Sequence, residues 1–158
     1  MISCTDFIPA YSEMFKFLER RGGKQAVIDF WTYLSDNFLG NLRDEVAKNG
    51  LRGCWNYWTH TLNEEAADFT MELDEEEGYF RITMHHCPSK GRLLGFSHLT
   101  PYQDYCEHCD LLYRRVLEPF GFSYEPDFSE VEQARCSLTI RKKKRKKAKL
   151  NCPKKSDS

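Results

Sequence analysis

Cys106-Glu107-His108-Cys109 places two thiols and an imidazole within four residues, and His85-His86-Cys87 stands earlier in the chain. Cysteine and histidine suit two chemistries. A thiolate beside an imidazole can act as a nucleophile with its base. Several thiols with an imidazole can hold zinc or haem iron. On a helical wheel, Tyr102, Tyr105, Cys106, Cys109, Leu112, Tyr113, Val116 and Leu117 share one arc, so both cysteines face inward one turn apart. In the strand pattern, His86 shares a face with Phe80, Ile82 and Met84, and Cys136 shares one with Leu138 and Ile140. If that face packs on the helix, His86, Cys106, Cys109 and Cys136 converge, with Cys87 beside them. The set Cys87, Cys106, Cys109 and His86 is then the candidate metal site, with zinc as its cofactor. Plain packing competes with this reading, because free cysteine is among the most buried residue types. Packing is the simpler account of Cys4, Cys54 and Cys136.

The elements that must position these residues follow from periodicity. Apolar residues recur at helical spacing from Phe7 to Leu18, from Val27 to Phe38, at Leu42 and Val46, and from Leu51 to Leu62. Gly22-Gly23, Gly40 and Asn49-Gly50 separate these four helices. The period then becomes two. Phe69, Met71 and Leu73 form one half-buried strand, and Phe80, Ile82 and Met84 the returning one, ending at Pro88. Residues 89 to 99 read as an irregular loop. Thr100, Pro101 and Gln103 form a capping signature for a helix running to about Glu118. Two further strands follow, near Phe122 to Tyr124 and from Ala134 to Ile140. The expected fold is α+β: N-terminal helices, then a small antiparallel sheet of about four strands packed against a long helix near residues 101–118.

Composition sets the frame. The chain has 158 residues, of which 41% are hydrophobic, enough for one domain with a core. No run approaches the roughly 18 apolar residues of a membrane span. Residues 1–6 lack the pattern of a signal peptide, so a cytoplasmic location is expected. Seven cysteines form an odd set without a secretory context, which favours reduced thiols. From Arg141 onward there are 10 Lys/Arg and one acid, whereas the preceding residues carry 13 basic and 23 acidic side chains. The expected organisation is one domain over 1–140 and a disordered basic tail over 141–158. The tail is suited to nonspecific contact with polyanions and leaves the body acidic.

Cys87-Pro88, Tyr105-Cys106-Glu107-His108-Cys109-Asp110, Gly121-Phe122 and Ala134-Arg135-Cys136 occur in an order and spacing that resemble the L-2-amino-thiazoline-4-carboxylate hydrolase-like family. The resemblance covers roughly residues 80–141. Cys87, Tyr105, Cys106, Asp110 and Cys136 match it, whereas Gln133-Ala134-Arg135 stands where a Gly-Asp pair commonly precedes the last cysteine. It implies a hydrolase of a cyclic amidine or another C–N bond. In that reading Cys106 is the nucleophile, His86 the general base and Asp110 a residue orienting polar groups at the rim. Tyr105, Tyr113 and Trp58 would bind the substrate. The chain also resembles vinyl-reductase-like ligand-binding domains, which implies a non-catalytic domain holding a small ligand, zinc or haem.

Overall fold

A computed structural model of the chain describes residues 4–65 and 67–143. The first helix, α1 (Cys4–Asn37), is broken at Gly22 and Gly23. Gly23 adopts φ 70° and ψ −176°, a conformation that side-chain-bearing residues rarely accept. The two arms fold back on each other there, and Phe15 of the first meets Trp31 of the second at 5.2 Å between ring centroids. Helices α2 (Gly40–Asn49) and α3 (Leu51–Glu64) follow, joined at Gly50.

Strands β1 (Asp68–Asp74), β2 (Tyr79–His86), β3 (Phe122–Asp127) and β4 (Cys136–Lys142) form one antiparallel sheet in the order β1-β2-β4-β3. The fold is therefore α+β, with N-terminal helices and a four-stranded antiparallel sheet. The inward side chains Phe80, Ile82, Met84, Tyr124 and Ile140 join Trp58 of α3 and Leu112, Val116 and Leu117 of the later helix in the main core. A second, aromatic core unites Phe15, Val27 and Trp31 with Leu93, Tyr102 and Tyr105. Ser35 Oγ donates to Leu112 O at 2.9 Å, tying the second arm of α1 to the helix that precedes β3.

Two segments differ from the sequence pattern. The expected loop over 89–99 contains a helix, α4 (Pro88–Gly95), with Pro at its first position and with Lys90 and Leu93 buried. The long helix begins later than its capping signature suggests, as α5 (Glu107–Leu117). Residues 103–106 form turns with i→i+3 bonds instead. Tertiary packing outweighs the local signal here. Tyr102 and Tyr105 are each 2% exposed within the aromatic core, and Tyr102 N–H donates to the buried Ser12 Oγ at 2.8 Å. Burying two such rings is worth several kcal/mol, whereas a cap contributes about 1.

The basic segment expected from Arg141 starts inside β4, where Lys142 pairs with Phe122. Residues 144–158, the remainder of that tail, lie outside the described residues. Among the described residues no helix is long and apolar enough to cross a membrane.

Candidate functional site

The sheet, α3 and the α4–α5 segment line a half-open cavity of about 320 Å³. Its floor is Ile82 and Met84 of β2, Tyr124 of β3, and Cys136 and Leu138 of β4. Tyr57, Trp58 and Leu62 of α3 form one wall. Cys87, Pro88 and Lys90 at the start of α4, with Tyr105, Cys106, His108, Cys109 and Tyr113, form the other. Two wider depressions, one along α3 and one on the outer face of the sheet, are open and lined mainly by polar side chains.

Cys106, Cys109 and Cys136 thus line one space, and Cys87 joins them. His86 does not. Along β2 the ladder pairs Met84 with Phe69 but His86 with Asp68, so His85 is an extra residue. This bulge breaks the period of two. His85 and His86 are both exposed, the former 2.7 Å from Thr70 Oγ1 through Nε2. The imidazole of His86 lies over Gly91, outside the cavity, and Cys87 occupies the inward position instead. Asp110 is also elsewhere, since its Oδ1 accepts from Arg114 Nε at 2.8 Å and it does not reach the cavity. Tyr105, Tyr113 and Trp58 all line it. Trp58 packs edge-on against Tyr113 at 5.1 Å, and the hydroxyls of Tyr105 and Ser89 are 2.7 Å apart. Among the described residues no three His, Cys, Asp or Glu side chains are grouped closely enough to hold a metal ion. The candidate zinc set is not assembled, because its imidazole points away and its three thiols, though they line one space, are not grouped closely enough for a common ion.

Periodicity alone does not mark three residues of the lining, His108, Lys90 and Tyr124. His108 replaces His86 as the cavity's imidazole. Its Nδ1–H donates to Tyr105 O, which leaves Nε2 to accept from Cys109 Sγ at 3.4 Å. Lys90 is 4% exposed, with Glu132 Oε1 3.1 Å from its Nζ. Tyr124 is 1% exposed, and its hydroxyl has no hydrogen-bond partner among the described residues. The proximity of Lys90 and Leu93 to Pro88 was the available helical signal, but eight residues are too few to establish a period.

Burial dominates the electrostatics. It pushes the Cys106 thiol up to about 11, opposed by the nearby Lys90 ammonium and assisted by Cys87. It pushes Cys136 up to about 12 and holds Cys109 well above the usual thiol range. His108 is pushed down to about 4, again by burial, with the bond to Tyr105 O opposing it. A proton moving from Cys109 to His108 is therefore disfavoured at both ends. Cys106 stands at the N-cap of α5, where the helix dipole favours a thiolate, yet burial outweighs that. At pH 7 roughly one Cys106 in ten thousand is ionised.

Alkylation by iodoacetamide should report this directly. For Cys106 in the native protein at pH 7 the rate should be on the order of a hundredfold below that of a free cysteine, rising about tenfold per pH unit. Peptide mass after a timed quench reads it. Fast labelling with a midpoint near neutrality would show an activated thiol.

No family model, curated protein or solved structure compared with the chain matches it.

Proposed function

We propose that the protein is a small-molecule-binding domain and that the cavity between sheet and helices is its ligand site. The observation that carries this reading is the cavity itself, where the apolar surface of Trp58, Tyr113, Met84 and Leu138 meets a few polar groups, among them Ser89, Lys90 and His108. A buried hydroxyl without a partner costs about 1–3 kcal/mol. The Tyr124 hydroxyl, shut away beneath the floor, bears that cost, while Trp58, Tyr113 and Leu138 offer an apolar wall to the body of a ligand. The volume falls at the lower end of the range of ligand pockets, roughly 300–1,000 Å³. Protonated thiols beside a weakly basic imidazole support binding over thiol-dependent hydrolysis, because burial makes the thiol hold its proton and the imidazole accept one reluctantly.

N-phenyl-1-naphthylamine, a neutral aromatic that fluoresces in apolar surroundings, tests the site. It should bind the wild-type protein in one saturable step. Cys109→Phe projects a ring into the cavity and should weaken that binding at least about tenfold while leaving the fold intact by circular dichroism. Tyr124→Phe removes the unpartnered hydroxyl and should be neutral or stabilising by about 1 kcal/mol. Absence of saturable binding, or binding indifferent to Cys109→Phe, would refute the ligand-site reading.

A further inference from the structure

The cavity lining carries two charged side chains, Glu65, which is half exposed and paired with Arg92, and Lys90, which is buried and neutralised in an unusual way. The Lys90 side chain is 6% exposed, whereas its partner Glu132 is 79% exposed and stands outside the cavity lining. An ammonium has three donors, and among the described residues Glu132 supplies the only hydrogen-bond acceptor. A buried ammonium without a counter-ion is expensive, so this position needs an anion at all times. Glu132 meets that need from a surface turn, Val131–Gln133. Its carboxylate can swing into water, where it is fully solvated. The ion pair stands at the cavity's edge, since Lys90 is among the lining residues and Glu132 Oε1 lies 3.1 Å from its Nζ.

We propose that Lys90 Nζ is an anion seat of the cavity and that Glu132 is its built-in occupant, displaced when an apolar ligand bearing one negative group enters. This rests on the cavity being a ligand site and names the charge of what it takes. The aromatic and aliphatic walls hold the body of the ligand, and its anionic group replaces the Glu132 carboxylate on Lys90. No bond is made or broken, and one carboxylate is exchanged for another anion. Glu132 then sets a threshold. It weakens binding of anionic ligands by competition and leaves neutral ligands of the same shape unaffected.

Two probes that differ by one sulfonate separate the parts of this argument: neutral N-phenyl-1-naphthylamine and anionic 8-anilinonaphthalene-1-sulfonate, titrated into the full-length protein. Glu132→Gln, at an exposed position, should tighten the sulfonate about tenfold and leave the neutral probe within twofold. Lys90→Met should weaken the sulfonate at least about tenfold and retain the neutral probe, which also reports that this variant is folded. Sulfonate affinity unchanged or weakened by Glu132→Gln, or unchanged by Lys90→Met, overturns the exchange while the neutral probe still reports a ligand site. Loss of all neutral-probe binding in the wild type overturns the site as well.

Discussion

Gly53→Ala should cost about 3 kcal/mol or more, a large share of the stability of an ordinary domain. Gly53 lies in α3 where it crosses α2. A Cβ there would stand 2.1 Å from Glu45 O, 2.4 Å from Glu45 C and 2.9 Å from Val46 N. All three are backbone atoms of α2, so no side-chain rotation relieves the overlap and the two helices must separate. Separation would loosen Leu42 and Val46 against Leu51, Cys54 and Trp58, and Trp58 is a wall of the cavity. Alanine also favours helix over glycine by about 1 kcal/mol, but this gain is smaller than the clash. Gly91→Ala is the control. The three atoms nearest its Cβ would all belong to the imidazole of His86, the first at 2.3 Å, and that side chain is exposed and can move aside. The control should stay within about 1 kcal/mol of wild type. Chemical denaturation of the three proteins measures both effects. A Gly53→Ala midpoint equal to that of Gly91→Ala would show that α2 and α3 are not in close backbone contact.

What could be read from the sequence was whatever repeats regularly. The period of two placed Phe80, Ile82, Met84, Leu138 and Ile140 on the helix-facing side of the sheet, and the helical wheel placed Cys106 and Cys109 on the inward arc. Cys136 followed from its register with Leu138. The departures occur where tertiary contacts override local pattern. A single extra residue at His85 turned His86 outward and Cys87 inward, and nothing local to His85-His86-Cys87 encodes that slip. The start of α5 moved because Tyr102 and Tyr105 gain more in the aromatic core than Thr100 gains as a cap. Lys90 was not recognised because a lysine reads as solvated. Its burial depends on Glu132, a residue far away in the chain whose position is set by the turn before β4. That turn ends at Ala134, which is buried at φ 58° and whose carbonyl accepts from Cys87 N–H at 2.6 Å. The same contact fixes both Cys87 and the approach to Cys136, so part of the site's geometry is held by a backbone conformation that no side-chain pattern announces.

The other large effect concerns acid. Stability should fall as pH drops from about 6.5 to about 4, by up to about 3 kcal/mol from His108 alone. Its imidazole is enclosed by Tyr105 at 4.8 Å, Tyr11 at 5.6 Å, Phe15 at 5.9 Å and Trp31 at 6.4 Å between ring centroids. The titratable groups facing it are Tyr11, Tyr105 and Cys109, and none is a carboxylate able to neutralise the imidazolium of this half-buried ring. The ring faces favour a cation, but burial outweighs them and holds the group neutral down to about 4. In the unfolded chain the same group takes up a proton near 6.5. Between the two values the unfolded state binds the extra proton, so stability rises with pH across that window and is independent of His108 above it. His108→Gln isolates the effect. Glutamine can donate to Tyr105 O and accept from Cys109, and it does not titrate. The four remaining histidines, His60, His85, His86 and His98, are exposed and common to both proteins, as are the carboxylates, so their contributions cancel in the difference. Urea denaturation of both proteins from pH 8 to pH 4 should give curves that run parallel above about 7 and then diverge, with the wild type losing more. Parallel curves throughout would mean that His108 is protonated in the folded protein and is not the neutral partner of Cys109.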